Sequence, residues 1–143
     1  FIVSADPENA KLIEMARMVN DYQPTRIVRR AVEHLNEIHP RKVYLFGLSF
    51  KPNVGDVRES PAVSVAAALV SEFPEIEFVL VDPHVSQIVE ELSAASNCSF
   101  TSTIPRISDQ DCVVCLVAHD AFRHQLISVK SSPNFMDFAG IFG

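Results

Sequence analysis

The sequence has few cysteines, no long apolar run and a shortage of basic residues, and each scarcity excludes a class of protein. Three cysteines, an odd and sparse number, argue against a disulfide-stabilised scaffold and favour a reducing, cytoplasmic environment. No apolar stretch approaches the roughly 20 residues that a membrane-spanning helix needs. A net charge of -6 disfavours a broad nucleic-acid-binding surface. We therefore expect a cytoplasmic protein without nucleic-acid or membrane partners.

Glycines are too scattered for the usual dinucleotide-binding fingerprint. That fingerprint, G-x-G-x-x-G, places closely spaced glycines between a strand and a helix. The first predicted connection of this kind holds only Gly47 and Gly55, eight residues apart. The chain is therefore not expected to bind NAD in the usual manner by itself.

Cys112 and Cys115 form a C-x-x-C motif, a spacing found in redox and zinc sites. The motif lies in an apolar run typical of a strand, where residues three apart point to opposite faces. Two cysteines so placed cannot share a metal ion or a disulfide, and no second C-x-x-C or paired histidine accompanies them. No metal site is predicted.

What the sequence does contain is a regular alternation of strand-like and helix-like segments. Residues 7–38 have apolar positions at helical spacing, as one bent helix or two short ones, because Pro24 interrupts the pattern. The alternation after Pro40 predicts an α/β fold, a Rossmann-like three-layer sandwich with a mainly parallel sheet. Strands are expected at 42–46, 77–81, 112–117 and 135–138, and helices at 61–72, 85–95 and 119–127. Residues 97–109 are ambiguous, with an edge strand (CSFT) and a short helix as one interpretation.

One strand-to-helix connection, residues 47–60 (GLSFKPNVGDVRES), has about fourteen residues, whereas such connections usually have two to six. It lies at the carboxyl edge of the predicted sheet, where ligands bind in doubly wound folds. Lys51 and Arg58 offer cationic groups suited to phosphate, next to a helix N-terminus. An anion or nucleotide site is one interpretation. The other is a solvated loop in which Arg58 pairs with Asp56 or Glu59.

Smaller expectations concern the turns of this edge. Gly47 should permit a sharp turn, Gly55 should adopt a positive φ, and Ser60 should cap the following helix.

Three more polar residues follow the predicted strands. Asp82 stands where a Rossmann fold holds a ribose hydroxyl, although no glycine fingerprint accompanies it. His119 and Asp120 either touch a base or cap the next helix.

The same stretches carry a family resemblance. GLSFKPNVGDVRESPA resembles the G-x-x-F-K-x-x-x-x-D-x-R-E-S-P signature that begins the C-terminal, nucleotide-sugar-binding domain of the UDP-glucose/GDP-mannose dehydrogenase family. VLVDPHV, DCVVCLVAHDAF and DFAGIF resemble later strands of that domain. FIVSADPENAKLIEMARMVNDYQP resembles the end of the central domain with its dimer-forming helix, most closely in the branch that oxidises UDP-N-acetyl-D-mannosamine. The resemblance covers nearly the whole chain.

This resemblance implies an NAD-dependent oxidoreductase that converts the C6 alcohol of a UDP-sugar to a carboxylate through a cysteine-bound intermediate. Residues 1–40 would be the end of the central dimerisation domain, and residues 41–143 the UDP-binding domain. The family's NAD-binding domain and catalytic cysteine motif do not occur in this sequence, which begins at Phe1 rather than Met. We therefore expect a fragment of a homodimeric enzyme, inactive alone and without catalytic residues of its own.

The resemblance also assigns roles to single residues. Lys51 is expected to contact the pyrophosphate of the UDP-sugar, and Phe50 either to line the uridine site or to pack in the core. Arg58 is expected to reach toward NAD. Arg17 and Asn20 are expected either to contribute to the dimer contact or to approach the sugar in the full enzyme. Ala139 departs from the pattern, because the mannosamine branch often has a basic residue at that position.

Other hypotheses stay open at this point. Within the family, the chain could derive from a UDP-glucose or GDP-mannose 6-dehydrogenase. If it does not belong to this family, it could be a complete small Rossmann-like protein with its own NAD-linked activity. It could also be a non-catalytic binding module that dimerises through the helix of residues 7–38. Nucleotide titration and molecular-mass measurement discriminate among these.

Overall fold

The computed structural model describes the backbone of residues 7–143 and the side chains of residues 23–143. The helices are α1 (Pro7–Ile38), α2 (Pro61–Glu72) and the single turn α3 (Arg123–Leu126). The strands are β1 (Lys42–Phe46), β2 (Glu77–Val81), β3 (Cys98–Thr101), β4 (Cys112–Cys115) and β5 (Phe135–Asp137). Short 3-10 turns lie at Glu90–Leu92, Asp120–Phe122 and Ile127–Val129. Pro24 is inside α1, which the structure describes as one helix. The side chains of Arg17 and Asn20 lie outside the described residues.

All five strands are parallel, in the order β3-β2-β1-β4-β5. This sheet confirms the predicted α/β, Rossmann-like fold class. Phe46, the last residue of β1, pairs with Val81 of β2 and with Cys115 of β4. Because the three central strands end level, the segments that follow them meet at one carboxyl edge.

Apolar side chains cover both faces of the sheet, as a buried parallel sheet requires. On one face, β1 and β2 pack with Ala31 and Leu35 of α1 and with Leu69 of α2. On the other face, Phe46 packs edge to face against Phe122, with their ring centres 4.8 Å apart. The second half of α1 therefore belongs to the same core as the sheet. Within the described residues, no helix combines the length and apolarity that crossing a membrane demands.

Cys112 and Cys115 lie in the two different core clusters, as the strand geometry predicts. Both thiols are unpaired and buried. Burial raises the pKa of the Cys112 thiol to about 12 and that of Cys115 further still. Thiolate, the reactive and metal-binding form, is therefore strongly disfavoured at both. No group of three potential metal-ligating side chains was found in the part of the chain that the structure describes.

Four predicted elements differ from the structure, and the smallest difference is that β5 ends at Asp137 instead of Phe138. The predicted helix at 85–95 is wrong, since only the 3-10 turn Glu90–Leu92 forms there. Val85, Val89 and Leu92 are buried at helix-like spacing, but on an irregular backbone. Valine is β-branched and loses side-chain freedom in a helix, so its helix propensity is weak. Tertiary packing therefore decides the backbone conformation of this segment.

Strand β4 ends at Cys115, not Val117, because Leu116 and Val117 both direct their N–H groups to the carbonyl of Phe46. The predicted helix at 119–127 is instead a succession of 3-10 and α turns over residues 120–129. Strand β3 confirms the edge strand at CSFT, whereas residues 102–109 contain no helix.

Candidate functional site

The loop of residues 47–60 leaves β1 at the carboxyl edge and returns to α2. Gly47 begins it with a φ of 100°, and a β-carbon there would lie 2.5 Å from Cβ of Val117. This positive φ favours glycine, whereas the backbone bends sharply only later, at Ser49 and Phe50. The positive φ predicted for Gly55 is wrong: that position needs glycine because a β-carbon would overlap the carbonyl oxygen of His84. Asn53 adopts the left-handed conformation in this loop instead, with a φ of 64°.

Asp82, directly after β2, is fully buried beneath the start of this loop. Its Oδ2 atom accepts hydrogen bonds from the N–H of Leu48 at 2.8 Å and from the N–H and hydroxyl of Ser49 at 3.1 and 2.9 Å. Its Oδ1 atom accepts from the N–H of His84 at 2.9 Å. These donors occupy the carboxylate that a Rossmann fold would offer to a ribose, so Asp82 holds the loop and does not face a ligand.

His119, after β4, is also fully buried and lies 3.0 Å from Asp82, measured from Nε2 to Oδ2. Its other ring nitrogen, Nδ1, is 2.8 Å from the backbone nitrogen of Asn53. A backbone N–H can only donate, so Nδ1 accepts and Nε2 carries the proton that is donated to Asp82. His119 is therefore a neutral imidazole with a fixed tautomer. Its ring bridges the ends of β2 and β4 to the tip of the loop.

The tip of the loop is fastened further through Asn53 and Asp120. The Asn53 Oδ1 atom accepts the N–H of Asp120 at 2.9 Å, and its Nδ2 donates to the Asp120 carboxylate at 3.2 Å. The N–H of Phe50 donates to the carbonyl of Asp56 at 2.6 Å and closes the turn between them. We call Asp82, His119 and Asn53 the anchoring network.

The three predicted ligand-binding residues are exposed on this loop. Phe50 is 55% exposed, which places its ring outside the core. Lys51 is exposed at the tip, and Arg58 pairs with Asp56, whose oxygens accept from Nε at 3.0 Å and from Nη2 at 2.9 Å. Hydrogen bonds from Arg58 lower the pKa of the Asp56 carboxyl to about 2. The ion pair considered for Arg58 is thus present.

Phe50, Asp56, Arg58 and Glu59 line an open groove of about 510 Å³. Lys51 is not among its lining residues, so the structure brings Phe50 and Arg58 together and leaves Lys51 beside them. Ser60 occupies the N-cap position of α2, but its hydroxyl makes no capping hydrogen bond. That buried hydroxyl has no partner among the described residues.

Sequence reasoning missed the anchoring network, although one signal was available. Asp82 and His119 each follow a strand, and both strands neighbour β1 in the sheet. The strand order was needed to place them side by side. His119 does occupy the N-cap position of the turn at 120–122, but its ring makes no capping hydrogen bond there.

The ionisation of Asp82 should be visible in the pH dependence of stability. Burial alone would raise the pKa of Asp82, but hydrogen bonds from His119, Leu48 and His84 outweigh it and lower the value from 3.8 to about 2. A depressed folded-state pKa contributes stability that is complete above the unfolded value and lost as the pH falls toward the folded value. We therefore expect about 2 kcal/mol to be lost between pH 4 and pH 2, measured by urea unfolding.

Asp56→Asn is a matched control for this titration, because the pKa of Asp56 is also about 2 but its ion pair with Arg58 is exposed. The Asp56 contribution should shrink at about 1 M salt, where exposed charges are screened. Asp82→Asn should remove a salt-resistant part of the acid loss. An unchanged slope in Asp82→Asn would contradict the assignment.

Comparisons with known proteins identify the chain's relatives. The model of the UDP-glucose/GDP-mannose dehydrogenase family, UDP binding domain, matches residues 44–143. UDP-N-acetyl-D-mannosamine dehydrogenase of Campylobacter jejuni is 34% identical over 122 residues, which cover 85% of this chain and 30% of that protein. NDP-N-acetyl-D-galactosaminuronic acid dehydrogenase of Ralstonia solanacearum is 37% identical over 124 residues, covering 86% of this chain and 28% of that protein.

A solved structure extends the likeness to three dimensions. UDP-N-acetyl-mannosamine dehydrogenase from Staphylococcus aureus matches with a TM-score of 0.61 and 28% identity, covering 99% of this chain and 36% of that one. The chain thus spans between 28% and 36% of the length of these relatives. The matched residues include the loop of residues 47–60 and the whole anchoring network. The chain therefore belongs to the UDP-glucose/GDP-mannose dehydrogenase family, and residues 44–143 are its UDP binding domain.

Proposed function

We propose that this chain binds the UDP part of UDP-N-acetyl-D-mannosamine, as the C-terminal part of an NAD-dependent dehydrogenase that oxidises the sugar C6 alcohol to a carboxylate. The observation that carries the proposal is the loop of residues 47–60. It bears the family signature, lies at the carboxyl edge of the sheet and exposes a cation at its anchored tip. The names of the relatives from C. jejuni and S. aureus support the choice of sugar.

Phe50 and Lys51 are the proposed substrate-binding residues. An ammonium group is a compact cation suited to a pyrophosphate, and Lys51 is exposed to solvent. The Phe50 ring, 55% exposed, is one of two large apolar side chains that the described residues leave in solvent. An aromatic ring in that position offers a flat surface on which a base can stack. Together they would hold the base and the phosphates of one nucleotide.

Arg58 is the proposed contact to NAD. Its side chain is 87% exposed, so its ion pair with Asp56 costs little to exchange for a phosphate. The carboxylate of Asp82, which a Rossmann fold would offer to a ribose, is occupied by the start of the loop. NAD, which would accept the hydride when bound, is therefore proposed to be held mainly by the N-terminal domain of the full-length enzyme. The chain alone would then be inactive.

Helix α1 is proposed to connect two domains. Residues 1–40 would include the end of a central dimerisation domain, and residues 41–143 would form the UDP-binding domain of a homodimer. Ala31 and Leu35 are buried in the core of the UDP-binding domain, so the second half of α1 packs against its sheet. Arg17 and Asn20 are proposed for the dimer contact or the approach to the sugar.

Lys51→Ala is expected to weaken UDP binding by about 10- to 100-fold, because a charge-assisted phosphate contact contributes about 1.5–3 kcal/mol. Calorimetric titration of the 143-residue chain with UDP measures this loss. Lys130→Ala, which removes another exposed lysine, is the control and should bind UDP like the wild type. Equal affinities of Lys51→Ala and wild type would refute the assigned contact.

Parallel titrations test the substrate class. UDP and UDP-N-acetyl-D-mannosamine should bind with similar affinity, whereas GDP and NAD should bind much more weakly. Tighter binding of GDP would favour a GDP-mannose dehydrogenase. Tight binding of NAD would favour a small protein with its own NAD-linked activity, and no nucleotide binding would favour a non-catalytic module.

A further inference from the structure

A buried pair holds both ends of the short segment that carries the proposed substrate contacts. Phe50 and Lys51 lie between Ser49 and Asn53. The N–H and hydroxyl of Ser49 donate to Asp82 at 3.1 and 2.9 Å, and the N–H of Asn53 donates to His119 at 2.8 Å. Because His119 and Asp82 are also hydrogen-bonded to each other, at 3.0 Å, one continuous set of hydrogen bonds connects Ser49 to Asn53 beneath the segment.

One protonation state of His119 satisfies all of these contacts. A proton on Nδ1 would face the N–H of Asn53, donor against donor. A neutral ring without a proton on Nε2 would direct a lone pair at the carboxylate of Asp82. Only the neutral ring with its proton on Nε2 both accepts from the loop and donates to Asp82.

The surroundings keep this ring in place. The centre of the His119 ring lies 5.0 Å from that of Phe122 and 4.6 Å from that of His84, which follows β2. Among the charged groups, Asp82 contacts the ring directly, and Asp120 reaches it only through Asn53. The side chains of both Asp82 and His119 are fully buried, so neither can touch a nucleotide directly.

We propose that Asp82 and His119 are positioning residues that fix the backbone of residues 50–52 for nucleotide binding, through the neutral Nε2–H tautomer of His119. This inference rests on the proposed role of Phe50 and Lys51. A loop of fourteen residues that was free in solution would lose conformational freedom on binding a ligand. The anchoring network orders the segment beforehand, so less binding free energy is spent on ordering it.

Two substitutions separate the two ring nitrogens. His119→Asn places an oxygen near the Nδ1 position and preserves an acceptor for Asn53. His119→Gln places an amide near the Nε2 position and preserves a donor for Asp82. We expect His119→Gln to weaken UDP binding roughly five- to tenfold, the effect of one lost hydrogen bond, and His119→Asn to weaken it less. His124→Gln, at an exposed histidine in α3, should bind UDP like the wild type.

A readout without ligand distinguishes failure of the network from failure of the proposed function. Nitrogen-15 NMR of the unliganded chain should show His119 as the Nε2–H tautomer, with slow hydrogen exchange at the amide of Asn53. His119→Gln should accelerate that exchange. An Nδ1–H tautomer, or fast exchange in wild type, would overturn the network. UDP binding by folded His119→Gln equal to wild type would overturn the positioning role. Absence of UDP binding by wild type would overturn the proposed function instead.

Discussion

Asp82→Ala is expected to lower the free energy of unfolding by about 3–5 kcal/mol, the cost of removing one partner from a buried polar network. The substitution leaves the buried N–H groups of Leu48 and Ser49 and the buried ring of His119 without their acceptor, together with the part-buried N–H of His84. Urea unfolding followed by circular dichroism at neutral pH measures the loss.

Asp137→Ala is the matched control. Asp137, the last residue of β5, also accepts three backbone N–H groups, from Ala139, Gly140 and Ile141, but it is exposed. Water can replace these hydrogen bonds, so we expect a loss of only about 1 kcal/mol. Comparable losses in both variants would show that burial of Asp82 contributes little, against our account.

Gly47→Ala is expected to destabilise the fold by about 2–4 kcal/mol, because two costs coincide there. A φ of 100° is unfavourable for any residue with a β-carbon. The new methyl group would also lie 2.5 Å from the side chain and 2.7 Å from the backbone nitrogen of Val117, where β4 leaves the sheet. Thermal unfolding of the variant beside wild type measures the effect.

Gly140→Ala isolates the first of these costs. Gly140 has a φ of 71°, but nothing lies within 4 Å of where its β-carbon would be. We expect about 1 kcal/mol for this variant, from backbone conformation alone. If Gly140→Ala lowered the stability as much as Gly47→Ala, the close approach of Gly47 to Val117 would not explain the loss in Gly47→Ala.

Sequence patterns predicted the elements whose local and tertiary signals agree. β1, β2 and α2 begin and end at the predicted residues, because apolar periodicity and turn residues mark the same limits. The helix predicted at residues 85–95 was wrong because an irregular backbone can also bury valines at helical spacing. Periodicity reports which side chains are buried and does not by itself fix the backbone that buries them.

The candidate site was predicted in part for a similar reason. The length and charge of the loop at 47–60 are properties of one segment and can be recognised in sequence. The anchoring network joins residues 53, 82 and 119, and their proximity depends on the strand order. Gly55 likewise meets His84, which is distant in sequence, so its requirement for glycine was recognised but its cause was not.

The two cysteines of β4 have a practical consequence. Cys112 lies in the core cluster beneath α1 and α2, and Cys115 in the cluster beneath Phe122. An alkylating reagent can reach either sulfur only when the layer above it opens, and burial disfavours the reactive thiolate until then. Natural thiols on opposite faces of one strand thus act as separate chemical reporters for the two sides of the sheet. Rates of modification, resolved by mass spectrometry, would reveal which layer detaches first.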